Sequence, residues 1–192
     1  MHLIDGMPSH IDRNGFSLIE LLIAVSIFAL LLALAGPMMS DFMNNSQIRN
    51  AAEAMLEGVR QAQTTAIAAN WQTQLTVTPG SGWQIQYVNP DTSVSVPVPP
   101  APYSLLDGAP HATVSPTPPG ATEITFDGFG NIVANPDTSA TISCINVTNP
   151  NVGAPRNLRV VISKTNTVGA TMLCDPAAVA GEPQACPAVA CN

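Results

Sequence analysis

The chain has 192 residues, a formal net charge of −7 and only 10% charged residues, with 18 prolines and four cysteines. That length holds one domain beside a membrane segment, and an acidic surface repels phosphate, which argues against broad electrostatic binding of nucleic acid. Residues 16–192 alone carry five basic against eleven acidic side chains, a formal −6, because Arg13, Asp5 and Asp12 lie upstream.

Residues 1–15 form a leader that ends in Arg13-Asn14-Gly15. From Phe16 to Ala35 run twenty residues with a single charge, Glu20. A helix of that length rises about 30 Å and spans the hydrocarbon core of a bilayer. A carboxylate inside such a span costs roughly 2.5 kcal/mol or more unless it finds a partner, so Glu20 needs its own explanation. The run exceeds the apolar core of about 7–15 residues in a secretory signal peptide, and its leader sets two aspartates against one arginine. Its apolar side chains cover every face rather than one stripe, which argues against a buried core helix. Arg13 on one side and Arg49 and Arg60 on the other leave orientation undetermined by charge.

Gly15-Phe16-Ser17-Leu18-Ile19-Glu20 resembles the class III signal of type IV pilins and type II secretion pseudopilins. The resemblance implies that a prepilin peptidase cuts between Gly15 and Phe16 and methylates the new Phe16 amine. It also implies that Glu20 pairs with the Phe16 amine of a neighbouring subunit, so that the buried charge is satisfied only on assembly. Ser17 stands where threonine is more usual and keeps the hydroxyl.

Gly36-Pro37 closes the apolar run, and Pro37 predicts a kink or local melting. Next comes an amphipathic stretch in which Ile48, Ala52, Met55, Leu56, Val59, Ala62, Ala66 and Ile67 recur at helical spacing. Asn45 or Ser46 could cap a helix restarted after Met43-Asn44-Asn45. The alternatives are one helix from Phe16 to about Asn70, roughly 80 Å long, or two helices.

From Trp71 the period shifts to two, and strands are predicted at 74–78, 83–88, 122–126, 131–133, 141–147, 158–163 and 169–173. Pro79-Gly80-Ser81-Gly82 and Asp127-Gly128-Phe129-Gly130 read as turns. Residues 89–120 hold nine of the eighteen prolines and read as a long exposed loop, since Pro97, Pro99, Pro100 and Pro102 preclude a central strand. A polyproline ligand for an aromatic groove is the sharper alternative.

Cys144, Cys174, Cys186 and Cys191 all lie in the last quarter of the chain. An even count beyond a membrane segment points to an oxidising compartment and two disulfides, with three pairings open. Cys186 and Cys191 are too far apart for a Cys-x-x-Cys redox pair. No metal, nucleotide or hydrolase motif is present; His2 and His10 fall in the leader, and His111 stands alone. Asn44-Asn45-Ser46 and Asn146-Val147-Thr148 fit the glycosylation pattern, as so short a motif does by chance.

The order of one long helix and short strands, with Thr125–Gly130, Leu158-Arg159-Val160-Val161-Ile162-Ser163 and Met172-Leu173-Cys174, is similar to the GspH/FimT family of minor pilins and pseudopilins. The resemblance implies an α+β pilin fold, a long N-terminal helix packed on an antiparallel β-sheet head. Residues 1–15 would be the leader, 16–36 the transmembrane and assembly helix, and 37–70 its amphipathic half. The β-rich head would cover 71–175 with the Pro-rich loop 89–120, and a Cys/Pro-rich tail 176–192. It further implies a non-catalytic subunit without cofactor or metal that primes a type IV pilus or type II secretion pseudopilus. Its partners would be other minor and major pilins or pseudopilins, the prepilin peptidase and an inner-membrane assembly platform. The subunit would cross the bacterial inner membrane once, with its head in the periplasm, and then sit near the filament tip. The alternative is a DNA-binding minor pilin of a competence pilus. Against it, 165–171 lacks the arginines such members carry in that turn, and Arg156, Arg159 and Lys164 form the only basic cluster of the head.

Overall fold

The computed structural model describes residues 16–80, 82–88, 97–153, 155–163, 170–187 and 191, with backbone alone for 34–38. The leader and most of the 165–171 turn therefore lie outside the described residues. One helix, α1 (Leu18–Ala69), opens the chain, and the chain divides into two compact units, Met1–Met39 and Ser40–Asn192.

In the first unit every large apolar side chain from Phe16 to Leu32 is at least half exposed. A helix so uniformly apolar, with no protein core over it, requires a non-aqueous surrounding or other helices. Ser26 fits that setting by donating its hydroxyl to Leu22 O at 2.8 Å, one turn back. Among the described residues no helix is long and apolar enough to cross a membrane.

Helical backbone continues through Gly36-Pro37 and Met43-Asn44-Asn45. Of the two alternatives the single helix forms, without local melting at Pro37 or a restart capped by Asn45 or Ser46. A proline takes one N–H from the ladder, and the Leu, Ala and Met residues beyond Gly36-Pro37 on either side favour helix strongly enough to carry it through. Asn44 and Asn45 are instead occupied elsewhere: Asn149 Nδ2 donates to Asn44 O at 3.4 Å, and Arg156 N–H donates to Asn45 Oδ1 at 3.0 Å.

In the second unit α1 buries Ile48, Ala51, Ala52, Met55, Val59, Ala62 and Ala66. These recur at three- and four-residue steps and form one stripe against the sheets. Leu56 packs at its edge, whereas Ile67 is half exposed, because it falls outside the stripe in the last turn of the helix.

Nine strands follow: β1 (Thr73–Thr78), β2 (Gly82–Tyr87), β3 (Tyr103–Ser104), β4 (Thr113–Thr117), β5 (Glu123–Phe126), β6 (Ile132–Val133), β7 (Cys144–Thr148), β8 (Leu158–Ser163) and β9 (Ala170–Cys174). They build two sheets rather than one, in the orders β3-β2-β1-β5-β6 and β4-β7-β8-β9, with every strand pair antiparallel. The fold is α+β, a long N-terminal helix packed on antiparallel sheets. Leu75, Val77, Ile85, Ile124 and Phe126 of the first sheet and Val114, Ile145, Val147, Val160 and Ile162 of the second share one core with the helix stripe. Alternation places their neighbours Gln74, Thr76, Gln84 and Gln86 on the opposite face.

The Pro-rich segment departs from expectation. Within the span read as an exposed loop lie β3, a 3-10 turn at Leu105–Asp107 and β4, and Leu105, Ala109, Ala112 and Val114 are buried. The exclusion of a central strand by Pro97, Pro99, Pro100 and Pro102 still holds, since both strands are edges of their sheets. Pro116, which lacks an N–H, sits in β4, where one side is free of ladder bonds.

Candidate functional site

The helix start is built by Ser17. It precedes the first helical residue, and its hydroxyl accepts the backbone N–H of Glu20 at 3.2 Å, while Ser17 O accepts from Leu21 N–H at 3.1 Å. This is an N-cap, and the Ser-x-x-Glu spacing is that of a capping box. The cap gives the hydroxyl a structural task and sets where Glu20 stands in the first turn. Near the helix N-terminus the macrodipole favours a carboxylate. Among the described residues no ion pair reaches Glu20. Phe16, directly before the cap, is exposed, and Gly15 lies outside the described residues. Pro37 stands within α1.

A polar seam fastens the second unit's part of α1 to the head. Gln47 Oε1 accepts from His111 N–H at 3.1 Å, and Asn50 Nδ2 reaches Gly108 O at 3.5 Å. Further along, Thr73 Oγ1 donates to Ala62 O at 2.8 Å, Gln63 Nε2 to Gly130 O at 2.9 Å, and Trp83 Nε1 to Ala54 O at 2.9 Å. Gly58 makes room for the Trp83 indole, since a Cβ there would lie 2.6 Å from Trp83 Cε2. Trp83 in turn stacks on Tyr103 of β3, with centroids 6.0 Å apart.

At the far end of α1 the β5–β6 turn is locked by Asp127. Its Oδ1 accepts the N–H of Phe129 and of Asn131, each at 2.9 Å, and its Oδ2 accepts Asn131 Nδ2 at 3.2 Å. Slight burial pushes the carboxyl upward, but the hydrogen bonds from Asn131, Phe129 and Gly130 outweigh it and hold Asp127 below the usual range. Gly130 takes φ +82°, and a Cβ on it would lie 2.8 Å from Ile67 Cδ1, so only glycine fits there. The result is a rigid turn with the Phe129 ring exposed at its tip.

The four cysteines pair as Cys144–Cys191 and Cys174–Cys186, settling the choice that spacing left open. Arg156 completes the tail: its Nε meets Asp175 Oδ2 at 3.4 Å and its Nη2 meets Gln184 Oε1 at 3.3 Å. Arg159, of the same basic cluster, donates to Asn146 Oδ1 at 2.6 Å, and Lys164 lies outside the described residues. Between this tail and residues 42–49 of α1 is a groove of about 720 Å³, with Phe42, Leu158 and Leu173 as its apolar lining and Arg49 and Arg156 at its edge. Among the described residues no cluster of three or more His, Cys, Asp or Glu could hold a metal.

The seam and the tail were not legible beforehand. The Ser-x-x-Glu spacing signals the cap, but nothing in the one-dimensional pattern marks Asn44, Asn45 or Gln47 as head-binding, since their partners are 64 to 111 residues away.

A capped, acid-bearing apolar helix start that continues into a helix stapled across antiparallel sheets is the build of a type IV pilin-like subunit. The chain belongs to the family described as type II transport protein GspH, whose model matches residues 51–166, and the prokaryotic N-terminal methylation motif matches residues 12–36. Among solved structures it is similar to the type IV minor pilin FimU of Pseudomonas aeruginosa strain PAO1 in two crystal forms. The first is 19% identical, covering 69% of this chain and 91% of that one with a TM-score of 0.47. The second is 18% identical, covering 65% and 90% with a TM-score of 0.44. No curated protein sequence matches the chain.

Proposed function

We propose that this chain is a minor pilin or pseudopilin, a non-catalytic subunit that primes assembly of a type IV pilus or a type II secretion pseudopilus. The observation that carries this reading is Glu20: a carboxylate on a capped first turn, inside an apolar helix, with no partner among the described residues. A charge so placed is stable in a membrane or filament core only when a cation arrives from another molecule. The amine of Phe16, freed by cleavage after Gly15 and then methylated, supplies that cation on a neighbouring subunit.

In this reading the prepilin peptidase and the inner-membrane assembly platform act on residues 1–36, and other minor and major pilins pack along the apolar helix. The subunit waits in the inner membrane with its head in the periplasm, and Pro37 lets the helix bend on extraction toward the tip. The binding of DNA is not favoured, since Arg156 is engaged by Asp175 and Gln184 and Arg159 by Asn146.

The test pairs two variants in cells. Gly15→Leu is expected to leave the leader uncleaved. Glu20→Ala is expected to be cleaved at the normal rate yet to enter sheared filaments at least about tenfold less than wild type, the scale of one lost charge-assisted contact. Normal incorporation of Glu20→Ala would overturn the pairing role.

A further inference from the structure

The two sheets end in four edges, and three of them are poor templates for a further strand. β3 and β6 are two residues long, and β4 carries Pro116, which has no N–H to offer. The fourth edge, β9, has none of these protections. Its five residues, Ala170-Thr171-Met172-Leu173-Cys174, include no proline, glycine or charge, and they pair with β8 one to one without a bulge.

The register fixes which backbone groups of β9 face outward. Opposed residues of an antiparallel pair either exchange both hydrogen bonds or both turn away. Ile162 turns away from β9, since its N–H donates to Ser143 O at 2.9 Å on the β7 side. Its opposite residue, Thr171, therefore turns its N–H and C=O out of the sheet, as does Leu173 two residues on. Asp175 continues that row, and its N–H is taken by Gln184 O of the tail at 2.7 Å. Around Gln184 the tail curls, with Glu182 N–H on Val179 O and Ala185 N–H on Glu182 O, each at 3.0 Å, so its cover ends at Asp175. On that side Thr171 and Leu173 have no backbone partner among the described residues.

We propose that β9 takes up one extended segment of a partner polypeptide as a fifth strand of the second sheet. An extended backbone sets its donors and acceptors at the spacing of about 7 Å that Thr171 and Leu173 present, whereas a helix spends its own internally. On the face that Leu173 shares, the new strand borders the groove of about 720 Å³ whose apolar lining is Phe42, Leu158 and Leu173. On the other face it borders Met172, which is 41% exposed. The segment thus carries bulky apolar side chains at alternate positions, toward the groove. It needs no charge, because Arg49 and Arg156 are already engaged by Glu53, Asp175 and Gln184. Main-chain bonds supply the affinity and the groove supplies the selection. The proposal stands apart from the assembly reading, since nothing in it depends on Glu20.

The probe is a blocked hexapeptide alternating threonine and valine, added to the full chain in detergent, with amide exchange followed residue by residue by NMR. In the chain alone the amides of Thr171 and Leu173 are expected to exchange fast, and those of Met172 and Cys174, which face β8, slowly. The probe is expected to slow Thr171 and Leu173 selectively. Thr171→Pro removes one outward donor and no bond to β8, so it is expected to weaken probe binding about tenfold, the scale of one hydrogen bond. Met172 and Cys174 stay protected in that variant, which separates a lost edge from a lost fold. N-methylation of alternate probe residues, or serine in place of valine, is expected to abolish the slowing. The proposal is overturned if Thr171 and Leu173 are already slow in the dilute chain alone, or if their slowing grows with chain concentration, the sign of a second copy's β9 as occupant. It is equally overturned by slowing at β3, β4 or β6 instead, or by binding that Thr171→Pro or the serine probe leaves unchanged.

Discussion

Glu123 illustrates how one side chain sets a pH response. Gln86 Nε2 donates to Gln74 Oε1 at 3.0 Å, and Gln74 Nε2 donates to Glu123 Oε2 at 2.8 Å, forming a polar ladder across three strands. Burial raises the Glu123 carboxyl above its usual range, and the Asp137 charge adds to that shift. Thr76, opposite it in the pairing, lowers it by less, and its hydroxyl is the one buried side-chain group among the described residues without a hydrogen bond of good geometry. A raised carboxyl binds its proton more tightly folded than unfolded, so its contribution is favourable when protonated and is lost as pH rises from about 4.5 through the higher folded value. Glu123→Gln is therefore expected to raise Tm at pH 7 by about 1–3 °C and to give no gain near pH 4, as thermal melts at the two pH values would show. Asp127 acts in the opposite sense: its lowered carboxyl contributes stability above the unfolded value, and that stability is lost as pH falls.

The element that organises the head is the second unit's part of α1, and its tightest contact is Gly58 under Trp83. Gly58→Ala gains about 1 kcal/mol of helix propensity but forces a buried, hydrogen-bonded indole to move, at a cost of about 1–3 kcal/mol. The expected result is a net loss of about 1 kcal/mol in chemical denaturation, which shrinks in a Trp83→Leu background because the clash is gone. This helix was readable in advance, since Ile48, Ala52, Met55, Val59, Ala62 and Ala66 repeat at its period. Most strands outside the Pro-rich stretch were readable for the same reason, and the turn at Asp127–Gly130 by its glycines. The folding of 97–120 into β3, the 3-10 turn and β4 was not. Leu105, Ala109, Ala112 and Val114 are scattered among prolines without any period, and they are buried because helix and sheets already surround the place they fill. The same limit hid the cysteine pairing, which depends on β7, β8 and β9 lying side by side.

For the molecule as a whole, the two disulfides set different shares of stability. Cys144–Cys191 closes a separation of 47 residues and Cys174–Cys186 one of 12. The chain-entropy relation gives about 4 and about 3 kcal/mol respectively. Replacing Cys144 and Cys191 together by serine is expected to lower the denaturation midpoint more than replacing Cys174 and Cys186. Equal losses would show that strain or residual structure dominates. The acidic balance of the chain carries a second whole-molecule prediction. At physiological salt the full chain in detergent is expected to show no mobility shift with duplex DNA up to micromolar protein, since two described arginines of the basic cluster are already held by side chains. A sub-micromolar shift would favour the competence-pilus reading.

The bond from Cys144 to Cys191 also orders events in time. Cys191 lies downstream of every strand of the sheet that it fastens. Synthesis and export must both pass residue 191 before the thiol of Cys144 can meet its correct partner. A chain that stops short leaves Cys144 unmatched within the second sheet, open to oxidation with the wrong cysteine and to proteolysis. The staple therefore closes only on a chain made and oxidised as far as residue 191, after every strand of the second sheet has been supplied.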